Sequence, residues 1–304
     1  MAETNSRVWF ITGTSSGLGR ALALAVLASG ERVVGTARNT AVLKDIEEQY
    51  PSTQFLALAL DVTNVAQIDA VFAKIKETFG RLDVVVNCAG YGLEGEVEAT
   101  PDEEARRQVE TLFWGPVNIC KRAVPFFRDV NPPGVGGRIL NISSCGGYAA
   151  NTTLAFYSAG KFALEGFSQA LSREMPPEWN IKVVIVQPGG FATSWSTSGM
   201  VLVPPHPAYG PDAPSNRFRR MVAAHAASTG DVARGAQAMI RIAGEPDPPL
   251  RVQLGTDAWC IVRGQAEKTL RDSEKWEEFS HSTNRDEVGP ERIEQLKEAL
   301  KEAL

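Results

Sequence analysis

The sequence predicts an α/β fold: a doubly wound parallel sheet of about seven strands with helices on both faces, followed by a helical C-terminal extension. Three observations carry this. Short runs rich in β-branched and apolar residues alternate with helical patterns along most of the chain. Those runs are apolar almost throughout rather than in alternation, as strands covered on both faces are. A glycine-rich turn joins the first such run to the first helix. At 304 residues and 43% hydrophobic content, the chain can bury one large core.

Taken in order, RVWFIT (7–12) opens the sheet and ends at Gly13, and the apolar GLGRALALAVLAS (17–29) forms the helix behind it. RVVGTA (32–37) is the second strand and 40–49 a short helix. QFLALAL (54–60) is the third strand, and 65–79 the helix after it. LDVVVN (82–87) is the fourth, followed by a long helical stretch over 101–129. GRILNIS (137–143), a helix over 156–174 and KVVIVQ (182–187) continue the alternation, and LRVQLG (250–255) closes the sheet. Residues 1–255 thus form one domain. Within it, 194–249 begins rich in Pro, Gly and Ser and reads as a substrate lid with a following helix. Residues 256–304 form a charged helical extension. In its last stretch Ile293, Leu296, Leu300, Ala303 and Leu304 recur at spacings of three and four, an apolar stripe for docking on the same subunit or on a partner.

Bulk chemistry narrows the function. A formal net charge of −5 without clustered Lys or Arg argues against a nucleic-acid surface. The four cysteines, Cys88, Cys120, Cys145 and Cys260, are widely spaced, as suits free thiols in a reducing compartment. His206, His225 and His281 are scattered, so no metal is expected. The apolar run ALALAVLA (21–28) falls far short of the ~20 residues that span a bilayer, and a soluble, cytoplasmic protein is expected.

The turn TGTSSGLG places Gly13, Gly17 and Gly19, with Ser15, Ser16 and Leu18, between the first strand and first helix. Glycines there let the backbone approach a pyrophosphate, and the free N–H groups of the helix start bind its charge. The alternation and this turn together describe a Rossmann-type domain. About twenty residues on, where an NAD site would place a carboxylate against the ribose, stand Thr36, Ala37 and Arg38. A guanidinium suits a 2′-phosphate, so NADP(H) is favoured over NAD(H); a solvated loop charge is the alternative. Asp61 and Val62 end the third strand where an adenine edge would lie, and Asn87, Ala89 and Gly90 end the fourth where small residues allow close cofactor approach.

Tyr157 and Lys161 sit four apart in a helix and project side by side. With TGTSSGLG, DV at 61–62, NCAG at 87–90, ISS at 142–144, YSAGK at 157–161 and PGGFAT at 188–193, all in order, the chain resembles the classical short-chain dehydrogenase/reductase family over residues 7–255. The resemblance implies an oxidoreductase interconverting a ketone or aldehyde with an alcohol. Tyr157 would be the acid/base, Lys161 would lower its pKa and hold the nicotinamide ribose, and Ser144 would hydrogen-bond the carbonyl oxygen. Ser143 would be an auxiliary donor or, by alternation along the strand, would face the other side. Pro188, Gly189 and Thr193 would seat the nicotinamide. The resemblance also implies a homodimer paired through the helices at 101–129 and 156–174.

One family position departs. Three residues before Gly115, where the family usually places the Asn that shapes a helix break and a water site, stands Leu112. Three outcomes are open: rerouted water, weakened turnover, or a site moved away from redox chemistry. Leucine is expected to close the helix or displace the water. Tyr91, Tyr148, Phe191 and Trp195, with Met200, Val201, Leu202 and Tyr209, offer apolar surface for a medium-to-large, partly apolar small molecule. Imine reduction, a non-redox cyclisation and a non-catalytic dinucleotide sensor remain competing functions, the last needing none of Ser144, Tyr157 or Lys161.

Overall fold

The structure, a computed structural model, describes residues 6–193, 195, 199–224, 229–285 and 287–303. Ser194, His225 and Leu304 lie outside the described residues. The chain runs β1 (Val8–Thr12), α1 (Gly17–Ala28), β2 (Arg32–Ala37), α2 (Lys44–Gln49), β3 (Phe55–Ala59), α3 (Val65–Phe79), β4 (Val84–Asn87) and β5 (Gly92–Glu94). It continues through α4 (Asp102–Val109), α5 (Gly115–Asp129), β6 (Gly137–Ile142), α6 (Ala155–Glu174), β7 (Ile181–Pro188), β8 (Met200–Leu202), α7 (Pro214–Ala224), α8 (Val232–Gly244) and β9 (Arg251–Leu254). It ends with α9 (Thr256–Lys275), α10 (Glu277–His281) and α11 (Pro290–Ala303).

Seven strands form one sheet in the order β3-β2-β1-β4-β6-β7-β9, and every pairing is parallel. Successive side chains on a strand point to opposite faces, and the sequence meets this with apolar residues on both. Trp9 and Ile11 of β1 pack with Leu22, Val26 and Met239 on the face covered by α1 and α8. Val8 and Phe10 pack with Phe72, Ile119 and Phe127 on the face covered by α3 and α5. The strand order reverses between β1 and β4, opening a crevice at their carboxyl ends, where such sheets take ligands.

Two features differ from the sequence expectation. β5 and β8 form a separate parallel pair, with Gly92 opposite Met200 and Glu94 opposite Leu202; three-residue strands are too short to leave a periodic signal. The stretch expected as one helix over 101–129 is two, α4 and α5, joined by a π turn at Glu110–Trp114 in which the Gly115 N–H donates to the Glu110 carbonyl. Pro116 has no N–H, so the Leu112 carbonyl receives no α-helical bond from residue 116. The break therefore persists with leucine at 112.

The residues group into two compact units divided between Val262 and Arg263. In the second, Lys297 bonds Glu277 at 3.0 Å and Glu294 at 3.1 Å, and Trp276 packs edge-on to Phe279. Leu296 and Leu300 of α11 are exposed. Among the described residues, no helix is long and apolar enough to cross a membrane.

Candidate active site

The glycine turn forms the floor of the crevice. Gly13 and Gly17 adopt φ of +73° and +57°, which an L side chain resists. A Cβ on Gly13 would stand 2.9 Å from Ala89 Cα, and one on Gly19 would stand 2.5 Å from the Gly13 carbonyl oxygen. The Thr12 hydroxyl accepts the N–H groups of both Cys88 and Ala89 at 3.0 Å, holding the loop after β4 against this turn. Ser16 caps α1 without a side-chain bond to its first turn, which leaves those N–H groups to a ligand.

From this floor a cleft of about 660 Å³ runs to the ends of β6 and β7. Its walls include the glycine turn from Gly13 through Ser15, Ser16, Gly17 and Leu18 to Gly19, then Arg38, Asp61 and Val62 at one end. Ala89, Gly90, Pro188, Gly189 and Thr193 line the middle, and Ser144, Tyr157 and Lys161 meet at the other end beside Tyr91, Phe191 and Trp195. Asp61 is partly engaged: its Oδ1 accepts from the Thr63 N–H and hydroxyl at 2.9 and 2.7 Å.

Two of the expected residues stand off the cleft walls. Asn87 is buried below, donating from Nδ2 to Asn141 Oδ1 at 2.7 Å, and Asn141 in turn donates to Ser168 Oγ at 2.7 Å. It ties β4 to β6 beneath the cleft. Tyr148 ends the short turn after Ser144, outside the lining. Of the apolar lid residues, Met200 reaches the cleft, Val201 and Leu202 face outward, and the Tyr209 hydroxyl donates to Glu98 at 2.8 Å.

Tyr157 and Lys161 project from the buried face of α6. Lys161 Nζ donates to the Ile142 carbonyl at 2.7 Å and lies 5.8 Å from the Tyr157 ring centre. Ser144 Oγ accepts the Gly146 N–H at 3.0 Å. Burial pushes the Tyr157 phenol up to about 12, with the Ser144 hydrogen bond pulling the other way. This sign differs from the expected lowering by Lys161. Burial also pulls the Lys161 ammonium down to about 8, against the opposing pull of Cys88 and Glu165. Taking either group out of water disfavours its charged form, and that cost outweighs the Ser144 hydrogen bond at Tyr157 and the charges of Cys88 and Glu165 at Lys161.

Leu112 is 1% exposed. It fills a notch between two glycines: a Cβ on Gly90 would stand 2.8 Å from its Cδ2, and one on Gly160 would stand 3.1 Å from its Cβ. Leu154, Tyr157, Trp195 and Phe218 complete this cluster, and the Tyr157 and Trp195 rings are 5.4 Å apart. The wall facing the phenol is therefore apolar.

Sequence reasoning missed several cleft residues. Phe218 and Val222 of α7 line it, four apart on one helical face, a spacing visible in NRFRRMV. Asp257, at the start of α9, accepts the Gly190 N–H at 2.7 Å and so braces the loop after β7; nothing local in the sequence links positions so far apart. Glu94 joins the wall beside an ion-paired cluster. Arg219 of α7 bonds Glu94 at 3.0 Å and grips Glu96 through both terminal nitrogens, fastening α7 to β5.

A family model described as short chain dehydrogenase matches residues 7–199. The chain is 39% identical over 300 residues to an uncharacterized oxidoreductase of Schizosaccharomyces pombe, spanning 99% of each. It is 38% identical over 190 residues to a 3-ketodihydrosphingosine reductase of Bacteroides thetaiotaomicron, spanning 62% of this chain and 66% of that one. Among solved structures, a short-chain dehydrogenase from Streptomyces avermitilis superposes with a TM-score of 0.84 at 36% identity, covering 93% of this chain and 100% of the other.

Proposed function

The chain belongs to the short-chain dehydrogenase/reductase family, oxidoreductases that bind a nicotinamide dinucleotide, and on that premise we propose that it is an NADP(H)-dependent carbonyl reductase. Its substrate would be a medium-to-large, partly apolar ketone or aldehyde, or the matching alcohol. The observation that carries this reading is the meeting of Ser144, Tyr157 and Lys161 at one end of a cleft whose other end is the glycine turn.

The residues fit such a cofactor. A side chain on Gly13 or Gly19 would fill the cradle the pyrophosphate needs, and Arg38 stands on the cleft wall for a 2′-phosphate. Bound there, the dinucleotide supplies or removes the hydride at the substrate carbon. Lys161 spends one N–H on Ile142 and has two more for ribose hydroxyls. Ser144 donates to the carbonyl oxygen as it gains charge. Tyr157, kept neutral by burial, gives that oxygen its proton in the reducing direction. The Leu112 carbonyl, beyond reach of an α-helical bond, is the acceptor for a water linking Lys161 to solvent. Leu112, Leu154, Trp195, Met200, Phe218 and Val222 supply the apolar wall, and the 3-ketodihydrosphingosine reductase among the relatives supports such a reading.

The test is NADPH oxidation by the purified protein against a panel of bulky aliphatic and cyclic ketones, beside Tyr157→Phe. Native turnover with a loss of about 10²–10⁴-fold in Tyr157→Phe, its NADPH binding intact, is expected. An equally active Tyr157→Phe, or NADPH binding with no ketone consumed and a substrate product of unchanged oxidation state, would overturn the reading.

A further inference from the structure

Behind Lys161 lies a buried charge that the proposed chemistry does not use. Glu165 is one turn further along α6, with only 4% of its side chain exposed. A carboxylate so placed needs a full set of donors, and it has them. Oε1 accepts from the Ser143 hydroxyl and from Gln187 Nε2, each at 2.8 Å. Oε2 accepts from Arg251 Nε at 2.9 Å. Arg251, 27% exposed, also donates to Gln169 at 3.0 Å, and Gln253 donates to Gln187 at 2.6 Å.

These bonds converge on the end of β6. Ser143 stands between Ile142, whose carbonyl takes the Lys161 proton donor, and Ser144. Gly147 closes the arrangement, for a Cβ there would lie 2.3 Å from Ser143 Oγ, 2.8 Å from Glu165 Oε1 and 3.0 Å from Lys161 Cβ. Three strands thus reach the reacting end through a single carboxylate: β6 by Ser143, β7 by Gln187 and β9 by Arg251.

We propose that Glu165 is the positioning residue of this site, tying the Ile142–Ser144 strand end to β7 and β9 and keeping Lys161 an ammonium, with Arg251 setting how much of its charge Lys161 feels. The inference rests on the reading of Lys161 as the residue that holds the cofactor. The titratable groups around Lys161 are Tyr157 and Glu165 on its own helix and Cys88 after β4, with Arg251 beyond Glu165. Burial holds the Cys88 thiol up at about 11 and the Tyr157 phenol up at about 12. Between pH 6 and about 10, Lys161, with its ammonium drawn down to about 8, is accordingly the one that changes charge ahead of Cys88 and Tyr157.

The experiment reads Lys161 directly. Protein carrying ¹³C at the lysine ε-carbons is titrated by NMR without cofactor, the Lys161 signal being assigned with Lys161→Met. At the i,i+4 Cβ separation of about 5–6 Å and an effective dielectric of about 20, Glu165→Gln is expected to lower the Lys161 midpoint by about two pH units. Arg251→Gln, which strips the counter-charge and leaves Glu165 in place, is expected to raise it. A purely structural tie would not move the two variants in opposite directions. A midpoint unmoved in Glu165→Gln, or both variants shifting the same way, overturns the proposal. Should Glu165→Gln not fold, a midpoint in Arg251→Gln that stays put or falls overturns it alone. NADPH affinity across pH is then measured on the same variants. Its alkaline limb should follow the NMR midpoint; a midpoint that moves while affinity does not would retain the role of Glu165 and overturn that of Lys161.

Discussion

Leu112→Asn restores the residue the family usually has, and the structure predicts a loss rather than a repair. Leu112 is 1% exposed and fitted between Gly90 and Gly160. Removing a buried leucine side chain forfeits about 1.5–3 kcal/mol. A carboxamide placed in the same notch, facing Leu154, Tyr157, Trp195 and Phe218, costs about 1–3 kcal/mol more where it lacks partners. The sum is about 2.5–6 kcal/mol, or a fall in Tm of about 5–24 °C at roughly 2–4 °C per kcal/mol for a domain of this size. Thermal unfolding followed by circular dichroism measures it, with Leu112→Met as the volume-conserving control expected to cost under about 1.5 kcal/mol. Turnover should not rise, because Pro116 and not residue 112 leaves the helix broken at Glu110–Trp114. A Tm within about 2 °C of native would refute the packing argument. A gain in kcat of tenfold or more would refute the assignment of the break to Pro116.

Three further outcomes are expected. Arg38→Ala should weaken NADPH by about 10–100-fold and leave NADH nearly unchanged, as the loss of one charge-assisted phosphate contact requires; fluorescence titration of both dinucleotides checks it, and equal losses would count against a 2′-phosphate site. Burial lowers the Lys161 pKa from 10.5 to about 8, so the unfolded chain binds more protons in that window and stability from this group rises as pH climbs from about 8 to 10.5. The buried Cys88 and Cys120 thiols, raised to about 11 and 12, act with the opposite sign above their ordinary value of 9, so the Lys161 contribution is read as the difference between native and Lys161→Met in denaturant melts; a difference flat across pH 8–10 would contradict it. Arg219→Met should destabilise by about 3–5 kcal/mol by stranding Glu96. The Arg219 hydrogen bond holds the Glu96 carboxyl down from 4.5 to about 2. The stability it contributes is therefore present above 4.5 and lost as pH falls toward 2. Acid titration of the native protein against Arg219→Met reads that loss, and parallel curves would exclude the pair as its source.

Much of the site was legible because the relevant signals are local. A glycine turn between a strand and a helix, and a Tyr and Lys four apart on one helix, are written within a few residues of each other, and the backbone rules of φ and helical spacing carry them into three dimensions unaided. What the tertiary structure alone decided depends on residues far apart in the chain. The apolar wall needs Leu112, Leu154, Trp195 and Phe218 to meet, and the grip of α7 on β5 needs Arg219 to find Glu94 and Glu96. The proton affinities needed it too. From the motif alone Lys161 should draw the phenol down, yet burial moves Tyr157 up, because desolvation is a property of the whole packed core and not of a neighbour's charge. The sequence by itself determined which residues face the crevice at its glycine and Tyr–Lys ends; how deeply Tyr157 and Lys161 are buried, and so which protonation states they favour, came only from the packing of distant segments around them.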